Sequence, residues 1–215
     1  NISAYIPTNL ISITDGQIYL SPSLFQLGAL PAVDVGKSVS RVGGKAQRPA
    51  YRAVAGDLKL AYSQFEELET FARFGARLDE DSRKVIEHGR RIRACLRQPE
   101  FAPVSLPAQI TVLLALTARL FADVPLDRMT QAEQVVRRAA AEIPAEVSDR
   151  LDSAEKLTNE DRETIIQIAQ RALEEFLPEP EPKSDFEREA DEEPTPDAKD
   201  TTAESRTLAA PRMKS

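Results

Sequence analysis

The chain has 215 residues, room for one domain or two small ones, with 35 acidic against 28 basic side chains and a net charge of −7. That balance argues against a general nucleic-acid binder, and no apolar run approaches the roughly 18 residues of a membrane span. One Cys and one His exclude a disulfide scaffold and a zinc cluster. The chain starts at Asn1 without an initiator Met, a basic n-region or an apolar h-region, so no signal peptide is expected; the chain reads as a fragment or a processed product.

The charge is unevenly spread and marks three segments. Residues 1–56 carry +3 and six of the eight glycines. Residues 57–177 carry −5, and residues 178–215 carry −5 together with six of the fifteen prolines. The last segment has only Phe186, Leu208 and Met213 as large apolar residues, too little to offset the entropy of ordering. An acidic disordered tail over 178–215 is the expectation.

In chain order, residues 10–14 form a β-branched run closed by Asp15-Gly16, which predicts a strand and a turn. Residues 17–20 predict a second strand. Ser21-Pro22 caps a short helix over 23–27 that Gly28 ends, and 32–35 predicts a further strand. Strand, helix and strand in this order predict an α/β layer. From Asp57 onward the chain reads as helical. Leu58, Tyr62, Phe65, Leu68 and Ala72 make one apolar stripe, and Val85, Ile86, Ile92 and Leu96 a second, ended by Pro99. Ser105 is expected to cap a third helix running to Asp123, with Pro107 in its first turn. Helices over 127–143 and 159–176 complete a bundle packed on the α/β part. Glu160, Asp161 and Glu163 suit the first turn of the last helix.

Few residues offer chemistry. Gly36-Lys37-Ser38 resembles the end of a phosphate-binding loop, but the glycine required five residues earlier is Pro31 and no long helix starts at Ser38. It is read as a decoy. Arg41 follows a short strand and precedes Gly43-Gly44, on a non-helical segment suited to bidentate capture of phosphate oxygens. An exposed loop arginine with no role is the competing reading.

Further motifs carry a resemblance. Residues 5–18 (Tyr-Ile-Pro-Thr-Asn-Leu-Ile-Ser-Ile-Thr-Asp-Gly-Gln-Ile), the run Pro31-Ala-Val-Asp34, and residues 38–47 (Ser-Val-Ser-Arg-Val-Gly-Gly-Lys-Ala-Gln) resemble the alpha subunit of F-type ATP synthase. Val54-Ala-Gly56, residues 64–69 (Gln-Phe-Glu-Glu-Leu-Glu), Phe71-Ala-Arg-Phe74 and Leu96-Arg-Gln-Pro99 continue it. The likeness has strong motifs over about residues 1–125 and continues to 177 in helical character. Pro-Ala-Val-Asp and Ser-Arg are shared across rotary and secretion ATPases; the first stretch points to the alpha type. Leu30, Asp34, Lys37 and the run 50–65 resemble an alternate, sodium-type bacterial and archaeal branch.

The resemblance implies an α/β plus all-α chain, the C-terminal portion of a longer subunit. Residues 1–48 would be the C-terminal part of a RecA-like P-loop nucleotide-binding domain, 49–177 a helical C-terminal domain, and 178–215 the tail. It implies a non-catalytic alpha subunit coupling H+ or Na+ transport to ATP synthesis and hydrolysis. Its partners would be the beta subunit in an alternating ring, the gamma central stalk and the delta peripheral stalk. It would lie peripherally on the cytoplasmic face of the inner membrane, without inserting and without nucleic acid. ATP or ADP with Mg2+ would bind in the assembled complex; no cofactor and no activity are expected for the fragment alone.

By the same resemblance Arg41 is an arginine finger reaching in trans to the terminal phosphate on beta, and Ser12 matches a serine near that phosphate. Family members hold the adenine of the non-catalytic nucleotide with an Arg-Pro pair and glutamines; here Pro31 and Gln98 persist while Leu30 and Glu100 depart. The acidic turn 78–82 would meet the rotating stalk, with Asp79 capping the next helix. Arg90, Arg91, Arg93 and Arg97 read as a solvated face pairing with Glu87, and Cys95 as a small buried apolar group. A secretion or flagellar-type ATPase fragment and a standalone helical interaction module are the alternative readings.

Overall fold

The computed structural model describes residues 4–177 apart from 74, 76 and 154. The tail expected to be disordered, 178–215, lies outside the described residues.

The predicted strand over 10–14 is instead part of a helix, α1 (Tyr5–Ile13). A strand needs a neighbour to take up its N–H and C=O groups, whereas a helix satisfies them internally. Pro7 stands in the first turn, where a missing N–H costs nothing. Thr8, Ser12 and Thr14 return their hydroxyls to carbonyls four residues back, at 2.8–2.9 Å. No residue of α1 is buried, and Tyr5, Ile6, Leu10 and Ile13 all face outward.

Pairing follows at longer range. Strands β1 (Gly16–Gln17) and β2 (Val39–Ser40) are antiparallel, with Gly16 opposite Ser40 and Gln17 opposite Val39. A Cβ on Gly16 would lie 2.4 Å from the Val39 carbonyl oxygen, so glycine permits the approach. The expected strands over 17–20 and 32–35 reduce to this ribbon plus one bridge, Leu20 to Val33. The expected α/β layer is thus a two-stranded ribbon among the described residues. Between the strands α2 (Pro22–Gln26) starts with Ser21 Oγ accepting from the Leu24 N–H and ends before Gly28 at φ +66°. Leu24, Ala29 and Ala32 form a small core of their own. A single turn, α3 (Gly43–Ala46), follows β2.

The long helix α4 (Pro49–Arg73) begins eight residues before the predicted start at Asp57. Its stripe extends back through Val54 and Ala50, and Gly56 is tolerated inside the helix, where an added Cβ would meet nothing within 4 Å. Then α5 (Glu80–Cys95) starts on Asp79, whose carboxylate accepts the Ser82 N–H at 2.8 Å as expected. Helix α6 (Leu106–Thr117) stops six residues before the predicted Asp123, and Arg119 follows in the left-handed region at φ 58°. Ser105 stands at its N-cap, but its hydroxyl makes no capping bond. The predicted helix over 127–143 is α7 (Met129–Ala139) flanked by 3-10 turns at Leu126–Arg128 and Ala140–Glu142. A helix the sequence reading omitted, α8 (Ala145–Asp152), buries Val147 and Leu151 one turn apart. Finally α9 (Asn159–Leu173) ends in a 3-10 turn at Glu174–Phe176.

Helix α6 is the centre of the bundle, packed by α4, α7 and α9. Ile110, Ala115 and Leu116 are fully buried, and Thr111 satisfies its hydroxyl on the Pro107 carbonyl. Burying each large aliphatic side chain contributes about 1.5–3 kcal/mol. Helices α4 and α5 pack closely where Gly89 leaves no room for a Cβ beside the Phe65 ring.

Two ion pairs brace the bundle. Arg93 was expected on a solvated face, but it is only 19 % exposed and forks onto both oxygens of Glu69 at 3.0 and 2.9 Å. Its guanidinium also stacks 4.5 Å over the Phe65 ring. Arg91 likewise folds back, donating to the Glu87 and Val124 carbonyls rather than to a carboxylate. Arg150 forks onto Asp161, which also closes a capping box with Thr158. The Arg150 guanidinium outweighs burial and, helped by Thr158, holds the Asp161 carboxyl down at about 2, against an ordinary 3.8. A depressed carboxylate stabilises the fold above its unfolded value, so this contribution is lost as pH falls from about 4 towards 2. Urea midpoints measured across that window should fall less steeply in Asp161→Asn than in the parent; identical slopes would contradict the pairing.

Candidate functional site

Arg41 stands at the end of β2. Its backbone N–H donates to the Asp15 carbonyl at 2.8 Å, extending the β1–β2 pairing by one rung. Ser40 Oγ accepts the Gly43 N–H at 2.8 Å, turning the chain immediately after it. A Cβ on Gly43 would meet that hydroxyl at 2.9 Å, so a side chain there would displace the Ser40 hydroxyl from the Gly43 N–H. The backbone of Arg41 is thus fixed on both sides. Its side chain is exposed, and its guanidinium has no ion-pair or hydrogen-bond partner among the described residues. Such a group is available to an anion brought from outside.

Ser12 is not on a strand beside Arg41 but on α1, exposed, with its hydroxyl already donated to the Thr8 carbonyl at 2.9 Å. Asp15-Gly16 was read as the turn between two sequential strands. It instead supplies β1 and the carbonyl that holds Arg41, a pairing across more than twenty residues.

The structure brings Pro31 and Gln98 together. The Gln98 N–H donates to the Leu30 carbonyl at 3.0 Å, across a cis Leu30–Pro31 bond, and its side-chain amide donates to the Ala102 carbonyl. Both residues line an open cleft of about 620 Å³ between the 28–31 loop, the end of α5 and α7. Arg97 closes one side by donating to the Gly28 carbonyl at 2.6 Å. Glu133, buried and paired with Arg137, lies along the other. Burial pushes the Glu133 carboxyl up, while Arg137 pulls it back. These two residues were missed by sequence reasoning, although their four-residue spacing on a helix was a visible signal.

A second polar cleft lies between residues 21–37 and α4, lined by Asp34, Lys37, Glu66, Glu69 and Arg93 among others. Burial alone would push the Asp34 carboxyl up, but the side-chain and backbone donors of Lys37 hold it below the usual range. Glu66 is pushed up by burial and then by the Asp34 charge. His88 is held below its ordinary value by burial and by Arg119 and Arg91 nearby, and Cys95 is buried with its thiol pushed up by desolvation. Among the described residues no cluster of three or more His, Cys, Asp or Glu could hold a metal, and no helix is long and apolar enough to cross a membrane.

Comparison with known proteins adds two family matches. Residues 47–172 match the ATP synthase alpha/beta chain, C terminal domain, and residues 1–40 match the ATP synthase alpha/beta family, nucleotide-binding domain. The chain is 75% identical over 198 residues to ATP synthase subunit alpha 2 of Albidiferax ferrireducens, covering 92% of this chain and 37% of that protein. It is 75% identical over 180 residues to subunit alpha 2 of Polaromonas naphthalenivorans, covering 84% and 35%. It is 72% identical over 176 residues to subunit alpha 1 of a Marinomonas species, covering 82% and 34%. The chain therefore spans about a third of the length of the curated relatives it matches.

Proposed function

The chain belongs to the ATP synthase alpha/beta family, and on that premise we propose that it is the C-terminal portion of a rotary F-type ATP synthase alpha subunit that supplies Arg41 in trans to a catalytic site on a neighbouring beta subunit. The observation that carries this is Arg41 itself: a backbone bonded on both sides of an exposed guanidinium that no side chain neutralises among the described residues. Phosphoryl transfer spreads negative charge over the equatorial oxygens of the moving group, and a planar five-donor cation placed there stabilises that charge more than the ground state. An arginine held by its strand rather than by an acid costs little reorganisation when the phosphate arrives.

The remaining readings follow from the same premise. Residues 1–40 contribute to a P-loop nucleotide domain, and residues 47–172 form the helical domain that packs in the ring. Pro31 and Gln98 hold one edge of an adenine in the 620 Å³ cleft, Pro31 by apolar contact and Gln98 by its amide. Ser12 is a second phosphate-proximal donor once its hydroxyl leaves the Thr8 carbonyl. The turn around Asp79 faces a central gamma stalk, and the whole subunit is peripheral to the membrane. Mg2+ with ATP or ADP would accompany the assembled complex; residues 31–38 lack the glycine needed to cradle phosphates, so this stretch contributes no Mg–phosphate contact.

Co-expression of the full-length subunit with beta and gamma tests the assignment. The three are expected to co-purify as one complex that turns over ATP. Purification of this subunit free of beta under the same conditions would sink the reading.

A further inference from the structure

Gly36-Lys37-Ser38 does not form a phosphate cradle, yet its neighbourhood is among the most densely bonded parts of residues 4–48. At its centre is Asp34, 8 % exposed. Its Oδ1 accepts the Lys37 N–H at 2.9 Å and its Oδ2 accepts Lys37 Nζ at 2.8 Å. The same ammonium lies 5.6 Å from the centre of the Tyr19 ring. The Asp34 carbonyl accepts both the N–H and the hydroxyl of Ser38, at 3.0 and 2.6 Å, and the Asp34 N–H donates to Tyr19 O at 2.7 Å. Ser38 Oγ in turn accepts the Tyr19 N–H at 2.9 Å.

This knot opens directly into β2. Strand β2 has two residues, too few to fix its own register, and the next residue is Arg41. A one-residue slip would turn every side chain of the strand to the other face. The register is therefore set from the Asp34 end, where the chain is tied to Tyr19, two residues past β1. Lys59 of α4 touches the Ser38 carbonyl at 3.5 Å, tying the knot to the helical domain.

We propose that Asp34, clasped by Lys37, is a positioning residue for Arg41, setting the register of β2 and through it where the guanidinium is presented. This rests on Arg41 being the finger. Asp34 touches no phosphate; its effect passes through the strand.

The experiment uses the full-length subunit assembled with beta and gamma. Asp34→Ala removes both carboxylate bonds and is expected to lower kcat for ATP hydrolysis about tenfold with KM changed less than about twofold, since small misplacements of a catalytic group cost up to about 10². Lys37→Met lowers kcat in the same direction, and Lys37→Arg, which keeps a donor for Oδ2, restores it. In an Arg41→Ala background Asp34→Ala gives no further loss, because both act through one guanidinium. Wild-type kcat in Asp34→Ala and Lys37→Met, with Arg41→Ala severely impaired, overturns the clasp and leaves the finger standing. Wild-type turnover in Arg41→Ala removes the finger and the clasp together. A full additional loss in the Arg41→Ala background also overturns the clasp, because Asp34 then acts elsewhere. If Asp34→Ala fails to assemble, the Lys37 variants decide, as that side chain is 59% exposed and its removal leaves the backbone knot in place.

Discussion

Arg41→Ala in the assembled complex is expected to lower ATP turnover by about 10³-fold or more, the range over which an arginine supplied to a transferring phosphoryl group acts. The fold should be unaffected, because the side chain is exposed and bonded to nothing among the described residues. Thermal melting within about 1 °C of the parent and unchanged co-purification with beta would separate a catalytic loss from a structural one. Arg41→Lys should recover little, since an ammonium offers a point charge in place of a planar fork matched to phosphate oxygens. Steady-state hydrolysis at saturating ATP is the measurement. Turnover within threefold of wild type for Arg41→Ala would end the assignment.

Gly89→Ala is expected to destabilise the helical domain by about 3 kcal/mol, at the upper end of overpacking costs. Alanine in a helix interior normally gains about 1 kcal/mol over glycine. Here the added Cβ would lie 2.0 Å from Phe65 Cγ and 2.2 Å from Phe65 Cβ, far inside contact distance. Phe65 has little room to yield: it is 0% exposed, tilted 54° against Tyr62 at 5.6 Å between ring centres, and covered by Arg93. Forcing α5 away would also pull Arg93 from Glu69. A calorimetric melt should fall by about 10 °C for a domain of this size. Phe65→Leu in the Gly89→Ala background should recover part of the loss, because the two sites share one contact. A Gly89→Ala melt within about 1 °C of the parent would show that the helices do not approach as described.

The helical domain was legible because its information is local. The Leu58-Tyr62-Phe65 stripe and the Asp79 cap are read within one or two helical turns, and both stand in the structure. Helix α8 carries the same local signal in the four-residue spacing of Val147 and Leu151. What the sequence hid is non-local. Nothing around residue 93 announces that Arg93 turns inward to Glu69, which is 24 residues away. Pairing of Gly16 with Ser40 depends on two strands of two residues each, too short to leave a periodic trace. Residues 10–14 misled in the opposite way, because β-branching signals a strand while the hydrogen bonds available here are those of a helix. Within the site, Arg41 stood out from its place between a strand and two glycines, whereas its role in trans and the adenine contacts of Pro31 and Gln98 came from family likeness. Glu133 and Arg137 carry a helical i, i+4 spacing, but that they line the cleft shows only once α7 is packed against the 28–31 loop and the end of α5.

The outward-facing side chains of α1 have a consequence for how the chain behaves in solution. Of the seventeen large apolar residues exposed among those described, eleven lie between Tyr5 and Val42. The helical domain presents an ordinary charged surface, whereas this end presents apolar side chains to solvent. Colloidal behaviour and fold stability therefore reside in different parts of the molecule. Any concentration-dependent self-association of the isolated chain is expected to arise from residues 5–42, and substitutions that firm up the bundle should leave it unchanged.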